Sequence, residues 1–190
     1  MVAGFLQMVT TGGSTQTIRI EQIFGFISIV LLYLAMLASP LTKAYPDLSI
    51  NQWYLHARRA VGVSAFYYAS LHVYLTFFGQ LGGFAGVQYY NEKYAIAILC
   101  GVVTLAVLLV MSATSLDRVV KLMGFRNWKL LQRLVYLAGV LVIVHVAILG
   151  THYAGLGLIS TLSIVALSLL LWLECQRFRG VIERSKQSDV

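Results

Sequence analysis

The fold is decided by the stretch ARRAVGVSAFYYASLHVYLTFFGQL, residues 57–81, which is apolar over the length of a membrane span and carries His72 in its interior. A second apolar stretch, residues 130–150, carries His145 in the same way. An ionisable side chain inside a membrane segment is costly, and it marks a functional site by default. These two histidines are therefore the first candidates for chemistry.

The composition is that of an integral membrane protein. Only 11% of the 190 residues are charged, 59% are hydrophobic, and the mean hydropathy is +0.80, whereas a soluble domain carries about 25% charged residues. Several apolar stretches approach the roughly 20 residues that cross a bilayer, and backbone groups in lipid must be satisfied internally, which predicts helices. The five predicted spans are residues 23–38, which stop at Pro40, then 57–81, 94–115, 130–150 and 155–173. We expect an all-α bundle of five transmembrane helices that forms a single domain over residues 1–190.

The distribution of basic residues orients this predicted bundle. Twelve of the fourteen Lys and Arg residues lie at the turns joining spans one to two and three to four or after span five, whereas only Arg19 and Lys93 lie on the other side. The positive-inside rule then places the N-terminus outside and the C-terminus in the cytoplasm. The basic face is expected to contact anionic lipid headgroups. Because this distribution explains the net charge of +7, no nucleic-acid partner is expected.

The two central histidines lie at the same predicted depth. Each follows the cytoplasmic start of its span by fifteen residues, which places both about 22 Å from that boundary. A haem iron needs this match if imidazoles bind it from opposite faces, whereas a hydrogen bond between helices does not require it. We therefore predict His72 and His145 as the axial ligands of a haem. His152, seven residues after His145, is an alternative ligand, a contact for the haem propionates or an interfacial residue.

Three blocks of the sequence carry a family pattern. They are residues 58–72, with an Arg-Arg pair and a Leu-His ending, residues 128–136 followed by His145, and the weaker block 20–26 followed by Ser39-Pro40-Leu41. Together they resemble the ferric-reductase-like transmembrane domain family over about residues 20–175. The most similar branch is the YedZ/MsrQ type, the haem-binding membrane subunit of a bacterial methionine sulfoxide reductase system. The resemblance implies that His72 and His145 occupy haem-ligand positions.

The chain departs from this family pattern in two respects. The family usually has a histidine thirteen residues before the position of His145, where this chain has Gln132, and Arg59 stands thirteen residues before His72. Neither side chain suits iron, so we expect one b-type haem rather than two. The branch also usually has a helix ahead of the block 20–26; we expect this chain to have five spans, without that helix, instead of six.

The favoured hypothesis is a multi-pass b-type cytochrome subunit of the bacterial cytoplasmic (inner) membrane. It would transfer electrons from a cytoplasmic flavoprotein, a flavin or a membrane quinol to a periplasmic acceptor. Since the sequence has no glycine-rich dinucleotide motif, a redox partner protein is expected on one or both sides of the membrane. The alternative hypothesis is a scaffold or assembly subunit of a larger complex, with little or no redox activity.

Other residues are candidates for supporting roles. Arg58 and Arg59 are predicted to bind the phosphate of FMN or a quinone near the cytoplasmic face, with lipid headgroup contacts as the alternative. Gly62 and Gly139 lie on the cytoplasmic side of the two histidines, where a small residue admits either a porphyrin or another helix. The acidic residues, Glu21 among them, are assigned to span edges and loops. No catalytic acid, base or nucleophile is predicted.

Overall fold

The computed structural model describes residues 14–87, 89 and 91–150, together with residues 161, 165, 166, 168–170, 172 and 175. The described residues are helical apart from short connections. The helices are α1 (Ser14–Ala44), α2 (Asn51–Leu75) with a π-helical continuation (Thr76–Gln80), α3 (Phe84–Val87), α4 (Glu92–Ala113), α5 (Asp117–Met123), α6 (Phe125–Leu131) and α7 (Leu134–Gly150).

Four helical segments in the described part of the chain are long and apolar enough to cross a membrane. They are Ile18–Ala44, Asn51–Gln80, Glu92–Ala113 and Phe125–Leu149. Large apolar side chains such as Leu99, Val102 and Leu109 are exposed on the outer face of α4, as expected for a surface that contacts lipid tails. The prediction of an all-helical membrane protein is confirmed. The fifth predicted span, residues 155–173, lies largely outside the described residues and stays a prediction.

Helix α1 does not end at Pro40, as the sequence predicted, but continues to Ala44. A proline inside a helix removes one backbone donor and displaces the preceding turn. Here α2 supplies donors at that turn, because Arg58 donates from Nε to the Ala35 carbonyl at 3.1 Å and from its guanidinium to Ser39 Oγ at 2.7 Å. The predicted stop is wrong, since the helix continues through Pro40 where Arg58 links this part of α1 to α2.

The predicted fourth span, residues 130–150, corresponds to the candidate membrane segment Phe125–Leu149, but the structure adds a turn that the sequence did not predict. A turn at Gln132 and Arg133 separates α6 from α7, so the long apolar helix that carries His145 begins at Leu134. The residues before this turn, Phe125–Leu131, form the short helix α6 at the start of the candidate span Phe125–Leu149.

The long helices pack as two antiparallel pairs. Helix α1 packs along α2, and α4 packs along α7, while contacts between α2 and α4 and between α1 and α7 join the pairs. Two buried hydrogen bonds link neighbouring helices, from Ser28 Oγ to the Ala65 carbonyl at 2.9 Å and from the Tyr33 hydroxyl to the Gly139 carbonyl at 3.4 Å. The buried core between the pairs consists mainly of Leu32, Tyr33, Met36, Ala65, Leu108, Val135, Val142 and Val146.

Candidate functional site

The bundle brings the two predicted histidines together. His72 lies in the last turn of α2 and His145 in α7, and their ring centroids are 6.3 Å apart with the ring planes at 87°. Each ring is largely buried among the helices. The two imidazoles that the sequence paired therefore lie side by side in the structure.

His72 is held by the facing turn of α1. Its Nδ1 donates to the Glu21 carbonyl at 3.0 Å, and the ring lies against Gly25, one turn later on the same helix. A Cβ atom built on Gly25 would lie 3.0 Å from His72 Nδ1 and 3.2 Å from Cε1. The missing side chain at Gly25 gives the imidazole room to reach the helix backbone.

His145 is held in the same way by α4. Its Nδ1 donates to the Ala97 carbonyl at 2.7 Å, and a Cβ on Gly101 would lie 3.0 Å from His145 Cε1 and 3.1 Å from Nδ1. In each helix pair, the carbonyl partner precedes the glycine by four residues. The two halves of the bundle thus use one arrangement twice.

These hydrogen bonds determine which nitrogen is available to a ligand. A carbonyl oxygen can only accept, so each Nδ1 carries the proton and each Nε2 keeps its lone pair. Metal-binding histidines typically donate their other ring N–H to such a backbone oxygen, which fixes the tautomer and the ring orientation.

The ring separation agrees with one metal ion between the two imidazoles. The ring centroids are 6.3 Å apart, and two metal–nitrogen bonds take up about 4 Å of this distance, at about 2.0 Å each. About 1.1 Å then remains on each side, which is the distance from the centroid of an imidazole to its ring nitrogen. A haem supplies its own four equatorial nitrogens and needs only two axial ligands from the protein. The donor set therefore fits this cofactor.

A cavity of about 280 Å³ adjoins both rings, close to the lower end of the range of about 300–1,000 Å³ typical of small-molecule sites. Its walls are mainly aliphatic and come from all four long helices. Most polar side chains come from the first part of α1, the beginning of α4 and the end of α2 with its π-helical continuation, while Ser28 and Thr104 are buried further along α1 and α4. The first group consists of Glu21, Gln22, Thr76, Gln80 and Tyr94. The site is thus an apolar slot with a polar mouth.

Glu21 is a site residue that the sequence prediction assigned to a span edge. It lies inside α1, its exposed fraction is 5%, and its carboxylate Oε1 is 3.9 Å from His72 Nδ1. Glu21 lies in the first turn of the candidate span Ile18–Ala44, which agrees with a span edge, but the sequence did not predict that its side chain is buried beside His72. Glu21 and Gly25 are one helical turn apart and share a helix face, and this spacing is the feature of the sequence that could have indicated their common site.

Arg58 and Arg59 do not line the histidine cavity. Arg58 bonds to α1, as described above, and Arg59 forms an ion pair with Asp117 and lies over the Trp128 ring at 5.7 Å. These contacts gather the start of α2 with α5 and α6 at one end of the bundle. A role for the two arginines in binding FMN or a quinone stays a prediction.

Two other sequence predictions concern further haem ligands. His152 lies outside the described residues, so its role stays a prediction. Gln132 lies in the turn before α7, and its side-chain amide donates to the Met111 carbonyl at 3.5 Å. This side chain thus connects the turn to α4.

Known proteins resemble this chain over most of the described bundle. The family described as ferric reductase like transmembrane component matches residues 23–143, a range that includes His72 and ends just before His145. The protein-methionine-sulfoxide reductase heme-binding subunit MsrQ of Ralstonia nicotianae is 27% identical over 176 residues, which cover 88% of this chain and 79% of that protein.

Two magnetosome proteins named MamZ are also similar. Those of Paramagnetospirillum magneticum and Magnetospirillum gryphiswaldense are 30% identical over 127 and 126 residues, or 65% of this chain. The matched region is only 19% and 18% of these longer proteins. The family resemblance that the sequence blocks indicated is confirmed.

Proposed function

The chain belongs to the family of ferric reductase like transmembrane components, and from this premise we propose that it is the haem-binding electron-transfer subunit of a bacterial oxidoreductase system. His72 and His145 are the axial ligands of one b-type haem. The observation that carries the proposal is the facing pair of imidazoles, each with Nδ1 bonded to a backbone carbonyl and Nε2 left for the iron. The printed name of the MsrQ relative, a heme-binding subunit, supports it.

The residues of the chain prepare the site for this cofactor. The Glu21 and Ala97 carbonyls orient the rings, and mainly aliphatic walls surround them. When bound, haem supplies one-electron redox chemistry. Burial and hydrogen bonding around the axial ligands are the means by which a protein sets the potential of that chemistry.

We infer the direction of electron flow from the charge distribution. With the N-terminus outside and the fifth span at residues 155–173, the basic end of the bundle lies in the cytoplasm, and the histidines lie in the outer half of the inner membrane. Electrons enter from a cytoplasmic flavoprotein, a flavin or a membrane quinol and leave to a periplasmic acceptor. Arg58 and Arg59 are proposed to hold the phosphate of FMN or a quinone at the cytoplasmic end of this single domain.

Single histidine variants test the ligand assignment. We expect His72→Ala and His145→Ala to lose the low-spin spectrum and most of the bound haem, because each removes one axial nitrogen. His56→Ala is the matched control, since this exposed histidine bonds within its own helix to the Gln52 carbonyl at 2.6 Å. His152→Ala is expected to retain the spectrum. Unchanged haem content and spectra in both central variants would refute the assignment.

The donor is tested with the haem-loaded chain in liposomes. Haem reduction is followed by absorbance after adding either a membrane-soluble quinol or a reduced flavin in the water phase on the basic side. Slower reduction by one of these donors in Arg58→Lys and Arg59→Lys, with the haem spectrum unchanged, would support a donor site at the arginines. If each donor reduces the haem of wild type, Arg58→Lys and Arg59→Lys at the same rate, the arginines have no role in binding the donor. A folded chain that binds no haem would support the scaffold alternative.

A further inference from the structure

The two halves of the histidine site differ in one charged group. The carbonyl that holds His145 belongs to Ala97, which is fully buried, whereas the carbonyl that holds His72 belongs to Glu21. The Glu21 carboxylate folds back toward the same imidazole, with Oε1 3.9 Å from Nδ1. His72 is therefore the only one of the two rings with a carboxylate beside its N–H among the described residues.

Besides His72, the described residue that contacts this carboxylate is Thr76, whose side chain hydrogen-bonds to it. Glu21 is 5% exposed, and within the described part of the chain its second oxygen, Oε2, is buried without a hydrogen-bond partner. A buried polar atom left unpaired lowers the stability of the fold. A glutamate retained at such a cost needs a function that a neutral side chain would not serve.

We propose that Glu21 is a positioning residue for the iron, whose negative charge polarises the N–H of His72 and lowers the reduction potential of the haem. The proposal rests on the proposed function, since it assumes a haem between the two histidines. A carboxylate beside the ring N–H makes an imidazole a stronger electron donor to its metal. The negative charge of the carboxylate also stabilises the extra positive charge of the ferric state. The low dielectric of the bundle strengthens this interaction.

The test compares the midpoint potentials of wild type and Glu21→Gln at one alkaline pH. The amide has nearly the same size but no charge. We expect the equilibrium constant for haem reduction to rise at least tenfold, which is a shift of 59 mV toward positive potential for one electron. Glu92→Gln is the control, because this exposed carboxylate lies outside the cavity at the start of α4. It should leave the potential unchanged.

The haem content of wild type and the potentials of the Glu21 variants distinguish a failure of this proposal from a failure of the proposed function. A wild-type chain without haem would refute the proposed function, whereas haem-loaded Glu21→Gln with an unshifted potential would overturn the role of Glu21 alone. Glu21→Asp keeps the charge but withdraws it by one methylene, so its potential should lie between those of wild type and Glu21→Gln. If Glu21→Gln does not assemble with haem, Glu21→Asp decides, and an unshifted potential there overturns the proposal.

Discussion

Alanine at Gly25 should weaken haem binding more than alanine at Gly101 or Gly62. The added Cβ would lie 3.0 Å from His72 Nδ1, whereas ordinary contacts begin at 3.4 Å. The ring must therefore move about 0.4 Å away from α1. This would stretch its hydrogen bond to the Glu21 carbonyl from 3.0 Å to about 3.4 Å, beyond the usual limit of about 3.2 Å.

Alanine at Gly101 should have a smaller effect of the same kind. The Cβ clash with His145 is equally close, at 3.0 Å, but the hydrogen bond to Ala97 starts at 2.7 Å and remains within about 3.2 Å after the same shift. Loss of a partner that orients a metal ligand typically costs about 10- to 100-fold in affinity. We expect the loss of haem affinity in Gly25→Ala to fall within this range, and the loss in Gly101→Ala to lie near its lower end.

Titration of haem into the haem-free variants measures this effect. Gly62→Ala is the matched control, because its Cβ would have only the Ala35 Cβ nearby, at 4.0 Å. Alanine generally stabilises a helix by about 1 kcal/mol relative to glycine, so none of the three variants should lose helical structure. Equal haem affinities in Gly25→Ala and Gly62→Ala would refute the account of the histidine positions.

Three further predictions follow from the same contacts. The rings of His72 and His145 are nearly perpendicular, at 87°, so the ferric protein should give a highly anisotropic low-spin EPR signal; a rhombic signal typical of parallel rings would contradict this geometry. Gln132→His should still bind one haem by pyridine haemochrome assay, because Arg59, thirteen residues before His72, offers no second ligand; two haems would show otherwise. Arg58→Ala should lower the free energy of unfolding in detergent by about 1.5–3 kcal/mol, since the hydrogen bonds of Arg58 to α1 are charge-assisted. Arg59→Ala should lower it by only about 0–1 kcal/mol, because Arg59 belongs to an exposed ion pair. Equal melting temperatures in the two variants would contradict this ranking.

The sequence predicted the two histidines because their signal is local. A polar residue inside an apolar run is visible without knowledge of the fold, and counting from the span start gave their common depth. The prediction that Pro40 ends a helix was wrong, because a proline disfavours a helix interior without excluding it and contacts with α2, such as those of Arg58, are not visible in the sequence.

The supporting residues of the site were not predictable in the same way. Glu21 and Ala97 are separated from their histidines by 51 and 48 residues along the chain, and only packing shows which carbonyl faces which ring. The glycines singled out from the sequence, Gly62 and Gly139, instead lie against side chains of α1. Sequence periodicity identifies a buried face of a helix, but it does not identify the neighbour that the face contacts.

The central claim is that one haem lies between His72 and His145, and the haem content of the purified chain tests it most directly. We would record oxidised and dithionite-reduced spectra in detergent and quantify haem by pyridine haemochrome assay. The account predicts about one b-type haem per chain, with a sharp α band in the reduced state. A well-folded preparation, produced with adequate haem supply, that contains no haem or two haems per chain would contradict it.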